Sequence, residues 1–175
     1  MPDDSTPEDG DTPGDIVREP LTASGGINFT IIEALFFAYR DFTSDPDAIL
    51  AQIGFGRAHH RVLHFVNRRP GLTVAELLDV LRITKQSLAR VLKQLVDTGH
   101  IVQLPGPEDR RQRELYPTHA GRDLAKRLAE PQSRRIAEAF GDMGTAERAA
   151  VERFLHRMVT DHDDGAAGRD RDAPG

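Results

Sequence analysis

Between residues 27 and 160 the apolar positions recur at helical spacing, interrupted by one short stretch that reads as a pair of strands. In INFTIIEALFFAYRDF, residues Ile32, Leu35, Phe36, Tyr39 and Phe42 mark a helical stripe that Ile31, Phe37 and Ala38 widen. A helix apolar on more than one face needs more than one surface to pack against, and a partner chain is the expected second surface. Asp45-Pro46 offers an N-cap with proline at the first helical position, so a separate short helix is predicted through Ile49, Leu50 and Ile53. The next helix is predicted from Gly54 to Arg69, with Phe55, Ala58, His59, Val62, Leu63 and Val66 along one side and Pro70-Gly71 as its stop.

Thr73 and Glu76 have the spacing of a capping box ahead of Leu77, Leu78 and Leu81. The pattern breaks at Arg82-Ile83, and Thr84 caps a further helix, which makes the pair a helix-turn-helix. In that second helix Leu88, Val91, Leu92, Leu95 and Val96 face inward. Lys85, Gln86, Ser87, Arg90, Lys93 and Gln94 are left outward. These are groove-reading side chains: Gln suits adenine edges, Arg and Lys suit guanine or phosphate, and Ser suits either. An outward face of cations and amides without an acid is unusual for a helix that only meets water, because mixed signs would gain i, i+4 pairs.

Gly99 ends the helix, and Ile101–Leu104 and Glu114–Tyr116 read as two short strands around a loop that carries Asp109, Arg110, Arg111 and Arg113. Arginines on such a tip reach far enough to enter a minor groove, and Asp109 can pair with one of them and set its direction. The alternative is a surface hairpin whose charges serve solubility. Thr118 caps a long helix that Pro131 is expected to kink or split. Thr145 starts a last helix with Ala149, Val151, Phe154, Leu155, Met158 and Val159. The outer helices carry more apolar surface than a DNA-binding lobe needs, and dimerisation is the simplest use for it.

Composition refines this picture. With 175 residues and 38 % of them hydrophobic, one domain is expected over residues 25–160, with the DNA-binding lobe at about 54–118. Residues 1–24 hold seven acids, four prolines and one arginine and are expected to form a disordered arm, as are residues 161–175 a polar tail. No apolar run reaches the roughly 18–20 residues of a bilayer span, and the acidic N-terminus is unlike a secretory signal, which points to the cytoplasm. The absence of cysteine excludes disulfides and thiolate metal ligands. Net charge is −5, yet residues 57–113 sum to +6 and the remainder to −11. A polyanion meets the local potential, because screening acts over roughly 8–10 Å.

Chemistry beyond binding is thinly supported. His60 and His64 stand at i, i+4 and could meet one ion, but no acid or cysteine in their helix completes a ligand set, so no metal or other cofactor is expected. Paired carboxylates in a recognisable context, nucleophile–histidine arrangements and glycine-rich phosphate loops are all missing, so an enzyme is not expected.

Residues Leu72 to Gly121 resemble the winged helix-turn-helix of the MarR family of bacterial transcriptional regulators. The run from Asp109 to Gly121 resembles the family's wing pattern, an Asp-x-Arg at the tip followed by Leu-Thr-x-x-Gly, and departs from it at Pro117, where the family usually has Leu. Arg90, two residues after Leu88, also suits the family's recognition helix. The resemblance implies a mainly α fold with a small β-hairpin wing and N- and C-terminal dimerisation helices. It further implies a homodimer with two recognition helices in successive major grooves of a pseudo-palindrome, Asp109 orienting Arg111, and Arg111 entering the minor groove.

The expected function is therefore sequence-specific binding of double-stranded DNA by a homodimeric transcriptional regulator, a repressor modulated by a small-molecule effector. The DNA-facing set is Thr84, Lys85, Gln86, Ser87, Arg90, Lys93, Gln94, Asp109, Arg110, Arg111 and Arg113. Similar proteins bind aromatic acids and other small molecules between the dimerisation helices and the DNA lobe. Helical phase alone puts Phe36, Tyr39, Arg40 and His59 at such a cleft, with a dimer-core role as the alternative for Phe36 and Tyr39 and a hydrogen-bonded core histidine as the alternative for His59. A winged-helix module for protein–protein contact, without sequence-specific DNA reading, is the alternative function.

Overall fold

Thr118, Thr84 and Thr73 each cap the start of a helix in the computed structural model, which describes residues 20–21, 26–107 and 109–159. The described elements run α1 (Phe29–Ala51), α2 (Arg57–Arg68), β1 (Leu72–Thr73), α3 (Val74–Leu81), α4 (Lys85–Asp97), β2 (Ile101–Pro105), β3 (Arg113–Pro117), α5 (His119–Phe140) and α6 (Thr145–Met158). The expectations for residues 1–19, for 22–25 and for the tail from 160 onward lie outside the described residues. The chain divides into two units, Met1–Phe37 and Ala38–Gly175. In the first, Asn28 Oδ1 accepts the backbone N–H of Ile31 at 3.1 Å and so caps the start of α1.

The second unit holds the core. Leu50, Val62, Leu63, Val66, Leu72, Leu77, Leu81, Leu88, Val91, Leu92, Leu95, Ile101, Leu115 and Leu128 are almost wholly buried, drawn from every element from α1 to α5. Each such aliphatic side chain contributes roughly 1.5–3 kcal/mol on burial. The sheet has the order β1–β3–β2 and is antiparallel throughout, with Leu72 opposite Leu115 and Gln103 opposite Leu115 on the other side. β1 is an addition to the expected hairpin: Leu72-Thr73 caps α3 and also pairs with β3. The wing strands each run past their expected ends, to Pro105 in β2 and over Arg113–Pro117 in β3. Pro117 sits opposite Ile101 at the end of the ladder.

The separate helix expected at Asp45-Pro46 does not form; α1 continues through Pro46 to Ala51. Proline at position 46 leaves the Phe42 carbonyl without its helical donor. Gln132 of α5 supplies one instead, with Nε2 donating to Phe42 O at 3.3 Å. Thr43 and Ser44 hydroxyls donate to the carbonyls of Tyr39 and Asp41 in the same stretch, and Pro46 itself is buried. Likewise α5 is not split at Pro131 and runs unbroken to Phe140. α2 begins three residues later than Gly54, at Arg57, because Gly56 is its extended N-cap. Val96, expected inward, is 37 % exposed.

Candidate nucleic-acid interface

The helix-turn-helix is held by caps at each junction. Thr73 and Glu76 form the reciprocal capping box, Glu76 Oε2 accepting Thr73 N–H at 2.8 Å and Thr73 Oγ1 accepting Glu76 N–H at 3.2 Å. α3 ends at Arg82, whose φ of 49° and ψ of 47° put it in the left-handed region, where its N–H donates to Leu78 O. That conformation is costly for a residue with a Cβ. Arg61 of α2 donates from Nη2 to Leu81 O at 2.8 Å and so satisfies a carbonyl at the end of α3. The Arg61 contact fixes the turn from outside the motif.

Thr84 caps α4: its Oγ1 accepts Ser87 N–H at 3.1 Å and donates to Ser87 Oγ at 2.9 Å. Both hydroxyls are therefore engaged in the cap. Leu88, Val91, Leu92 and Leu95 anchor the inner face of α4, and Lys85, Gln86, Arg90, Lys93 and Gln94 are exposed on the outer face. The last two are not idle. Lys93 Nζ pairs with Asp97 one turn on, and Gln94 Oε1 is hydrogen-bonded to His59 Nε2 of α2 at 2.7 Å. Among the described residues, the side chains toward the N-terminal end of the outer face that have no such tether are Lys85, Gln86 and Arg90.

The wing tip is built by backbone. Gly106 N–H donates to Gln112 O, Gln112 N–H donates to Asp109 O, and a Cβ on residue 106 would lie 2.9 Å from Asp109 O. Asp109 Oδ1 accepts the main-chain N–H of Arg111 at 2.9 Å. Asp109 thus shapes the turn that carries Arg111 and makes no ion pair with its guanidinium, which is a correction to the expected side-chain pairing. Arg110, Arg111 and Arg113 are exposed beside it.

The residues expected at an effector cleft that lie in the second unit do not all share one. A cleft of about 340 Å³ between α1, α2 and α5 is lined by Tyr39, Arg57, His60, Arg61, His64 and Gln132 among others. Tyr39 is there, under the Arg57 guanidinium at 5.6 Å, and Arg57 in turn pairs with Asp47 at 2.8 Å. His59 is not. It is buried in the core, stacked on Phe55 at 4.4 Å between ring centroids. Arg40 pairs with its neighbour Asp41 at 2.8 Å and does not line the cleft, and Phe36 belongs to the first unit. Residues His60 and His64, considered above only as metal ligands, are the ones that share this cleft. Burial lowers the pKa of both; His64 lowers His60 further, and Arg68 lowers His64. Among the described residues no group of three or more His, Asp or Glu is placed to hold a metal ion, and no helix is long and apolar enough to cross a membrane.

Residues 53–112 match the sequence model of the MarR family. The chain is 48 % identical over 128 residues to the HTH-type transcriptional regulator PetP of Rhodobacter capsulatus, an alignment that covers 73 % of this chain and 77 % of PetP. In structure it is similar to Streptococcus pneumoniae FabT in complex with DNA, with a TM-score of 0.65 and 17 % identity over 74 % of this chain and 93 % of FabT. It is also similar to a mutant MarR from E. coli complexed with operator DNA, with a TM-score of 0.58 and 20 % identity over 75 % of this chain and 94 % of that one. The last two likenesses are of fold. The capped helix-turn-helix, the three-stranded wing and the sequence match to PetP together establish that the chain belongs to the MarR family of transcriptional regulators.

Proposed function

We propose that this regulator acts as a homodimer in the cytoplasm, reads a pseudo-palindromic duplex with α4, and represses until a small effector binds. The observation that carries the DNA reading is the outer face of α4, where Lys85, Gln86 and Arg90 stand exposed and untethered at the end of the helix that a groove reader presents. Gln86 and Arg90 have the chemistry to read base edges, and Lys85 that to hold phosphate. Arg110, Arg111 and Arg113 extend the cationic surface along the wing toward a minor groove. Dimerisation is supported by α6, none of whose residues is buried and which exposes Phe154, Leu155 and Met158. The complexes of FabT with DNA and of the MarR mutant with operator DNA support the same partner. No catalytic role is assigned.

The effector reading moves to the Tyr39–His60–His64 cleft, which lies between the helix-turn-helix support and the long helices. A ligand there would alter how α2 sits on α5, and with it the separation of two recognition helices. The test of DNA reading is competition between a selected duplex and a random one. Gln86→Ala and Arg90→Ala are expected to shrink that preference; an unaltered preference in both variants overturns direct readout. Titrating candidate ligands without any change in operator affinity removes the effector from the account.

A further inference from the structure

His59 and Gln94 are 35 residues apart in sequence and joined by a 2.7 Å hydrogen bond from the support helix to the recognition helix. The direction of that bond follows from the other ring nitrogen. Gly56 N–H donates to His59 Nδ1 at 3.1 Å, so Nδ1 is an acceptor and the proton of the neutral ring is on Nε2. Nε2–H then donates to Gln94, and the atom it meets must be the amide oxygen. The ring has no room to choose otherwise: it is 8 % exposed and lies flat on Phe55, which in turn meets His100 edge-on at 5.4 Å.

We propose that His59 is a positioning residue that holds the Gln94 amide oxygen and so presents Nε2–H2 to a backbone phosphate of the bound duplex. A glutamine that reads adenine uses both ends of its amide, accepting from N6 and donating to N7. With its oxygen turned onto the buried His59 ring, Gln94 cannot set both ends of its amide against one adenine, and its donors are what it has left to offer. Its position agrees with that: it is the tenth of the 13 residues of α4, past the N-terminal end that reaches base edges. A phosphate oxygen is the acceptor within the chemistry left to it. His59 thereby couples the N-terminus of α2, through Gly56, to the grip of α4.

This inference rests on the DNA reading proposed above, and the experiment separates the two. Affinities of wild type, His59→Phe, Gln94→Ala and the double variant are measured for a duplex enriched from a random pool and for a random-sequence duplex, with thermal melts alongside. Each single change is expected to weaken both duplexes alike, by about 10–100-fold, the loss of one hydrogen bond to a charged group. The double variant is expected to be no weaker than the singles, since His59 acts through Gln94. Losses that multiply, or a Gln94→Ala change in base preference at one operator position, overturn the proposal. If His59→Phe does not fold, Gln94→Glu decides: its carboxylate still accepts from His59 but offers the phosphate no donor. A loss at least as large as for Gln94→Ala supports the proposal, and wild-type affinity overturns it. A wild-type protein with no preference for any duplex overturns the DNA reading and this inference with it.

Discussion

The carbonyl oxygen of His100 lies 1.9 Å from where a Cβ on residue 121 would stand. Gly121 is buried in the first turn of α5, where its N–H donates to Thr118 Oγ1, while the Thr118 hydroxyl donates to Gly99 O and Thr118 N–H donates to His100 O. The start of α5 is thus tied directly onto the turn that leaves α4. Gly121→Ala is expected to destabilise the fold by about 1–3 kcal/mol, because backbone on both sides must shift. A fall in the denaturant midpoint at unchanged slope checks it; an unchanged midpoint would show that the two turns are not locked together.

The Pro46 repair gives a second expectation. Gln132→Ala removes the donor to Phe42 O and should cost about 1 kcal/mol. In a Pro46→Ala background residue 46 regains an N–H that can serve the same carbonyl, so Gln132→Ala should then cost less. Equal costs in the two backgrounds, measured by denaturation, would sever Gln132 from the proline.

At the wing, Arg111→Ala should weaken DNA binding by about 1–3 kcal/mol if the side chain sits in a groove. Asp109→Ala should weaken it by less, because it loosens the turn that presents Arg111 without removing the cation. Neither should move the melting temperature appreciably, as both side chains are exposed at the tip. Affinity by fluorescence anisotropy, beside a melt, distinguishes a loss of contact from a loss of fold.

The histidines predict a pH dependence of stability. His60, His64 and His100 all have pKa values below their ordinary 6.5, with burial as the first cause, so the unfolded chain takes up protons before the folded one does. The stability they contribute is intact above that value and falls as pH drops through it toward the folded pKa values. The melting temperature should hold above neutral pH and decline as pH falls through about 6.5, and His60→Gln with His64→Gln should flatten the decline. A decline of the same depth in the double variant would place its origin elsewhere.

How much of this could be read along the chain depends on the range of the interactions involved. The caps at Thr73, Thr84 and Thr118 are local, with donor and acceptor three residues apart, and the sequence reading placed all three correctly. Pro46 misled because its repair comes from Gln132, 86 positions away, which no local pattern contains. β1 was missed because Leu72-Thr73 is two residues long and already had a role as a cap. Helical phase put Gln94 on the outer face, where it is, but could not reveal that His59 holds its oxygen. The apolar side of α2 admits His59 as a core histidine or as a cleft wall, and packing decides for the core, while its neighbour His60, off that side, lines the cleft. The wing tip was legible by its arginines, while the link from Asp109 to the Arg111 backbone required the turn itself.

In the proposed mode of binding, two copies of α4 read two halves of one duplex. Selection of bound DNA from a random pool puts this to the test. The expected result is an inverted repeat whose half-site centres lie about 10–10.5 base pairs apart, with matching positions lost in Gln86→Ala and Arg90→Ala. A pool that shows no enriched sequence, or a single half-site without its mirror image, would contradict it.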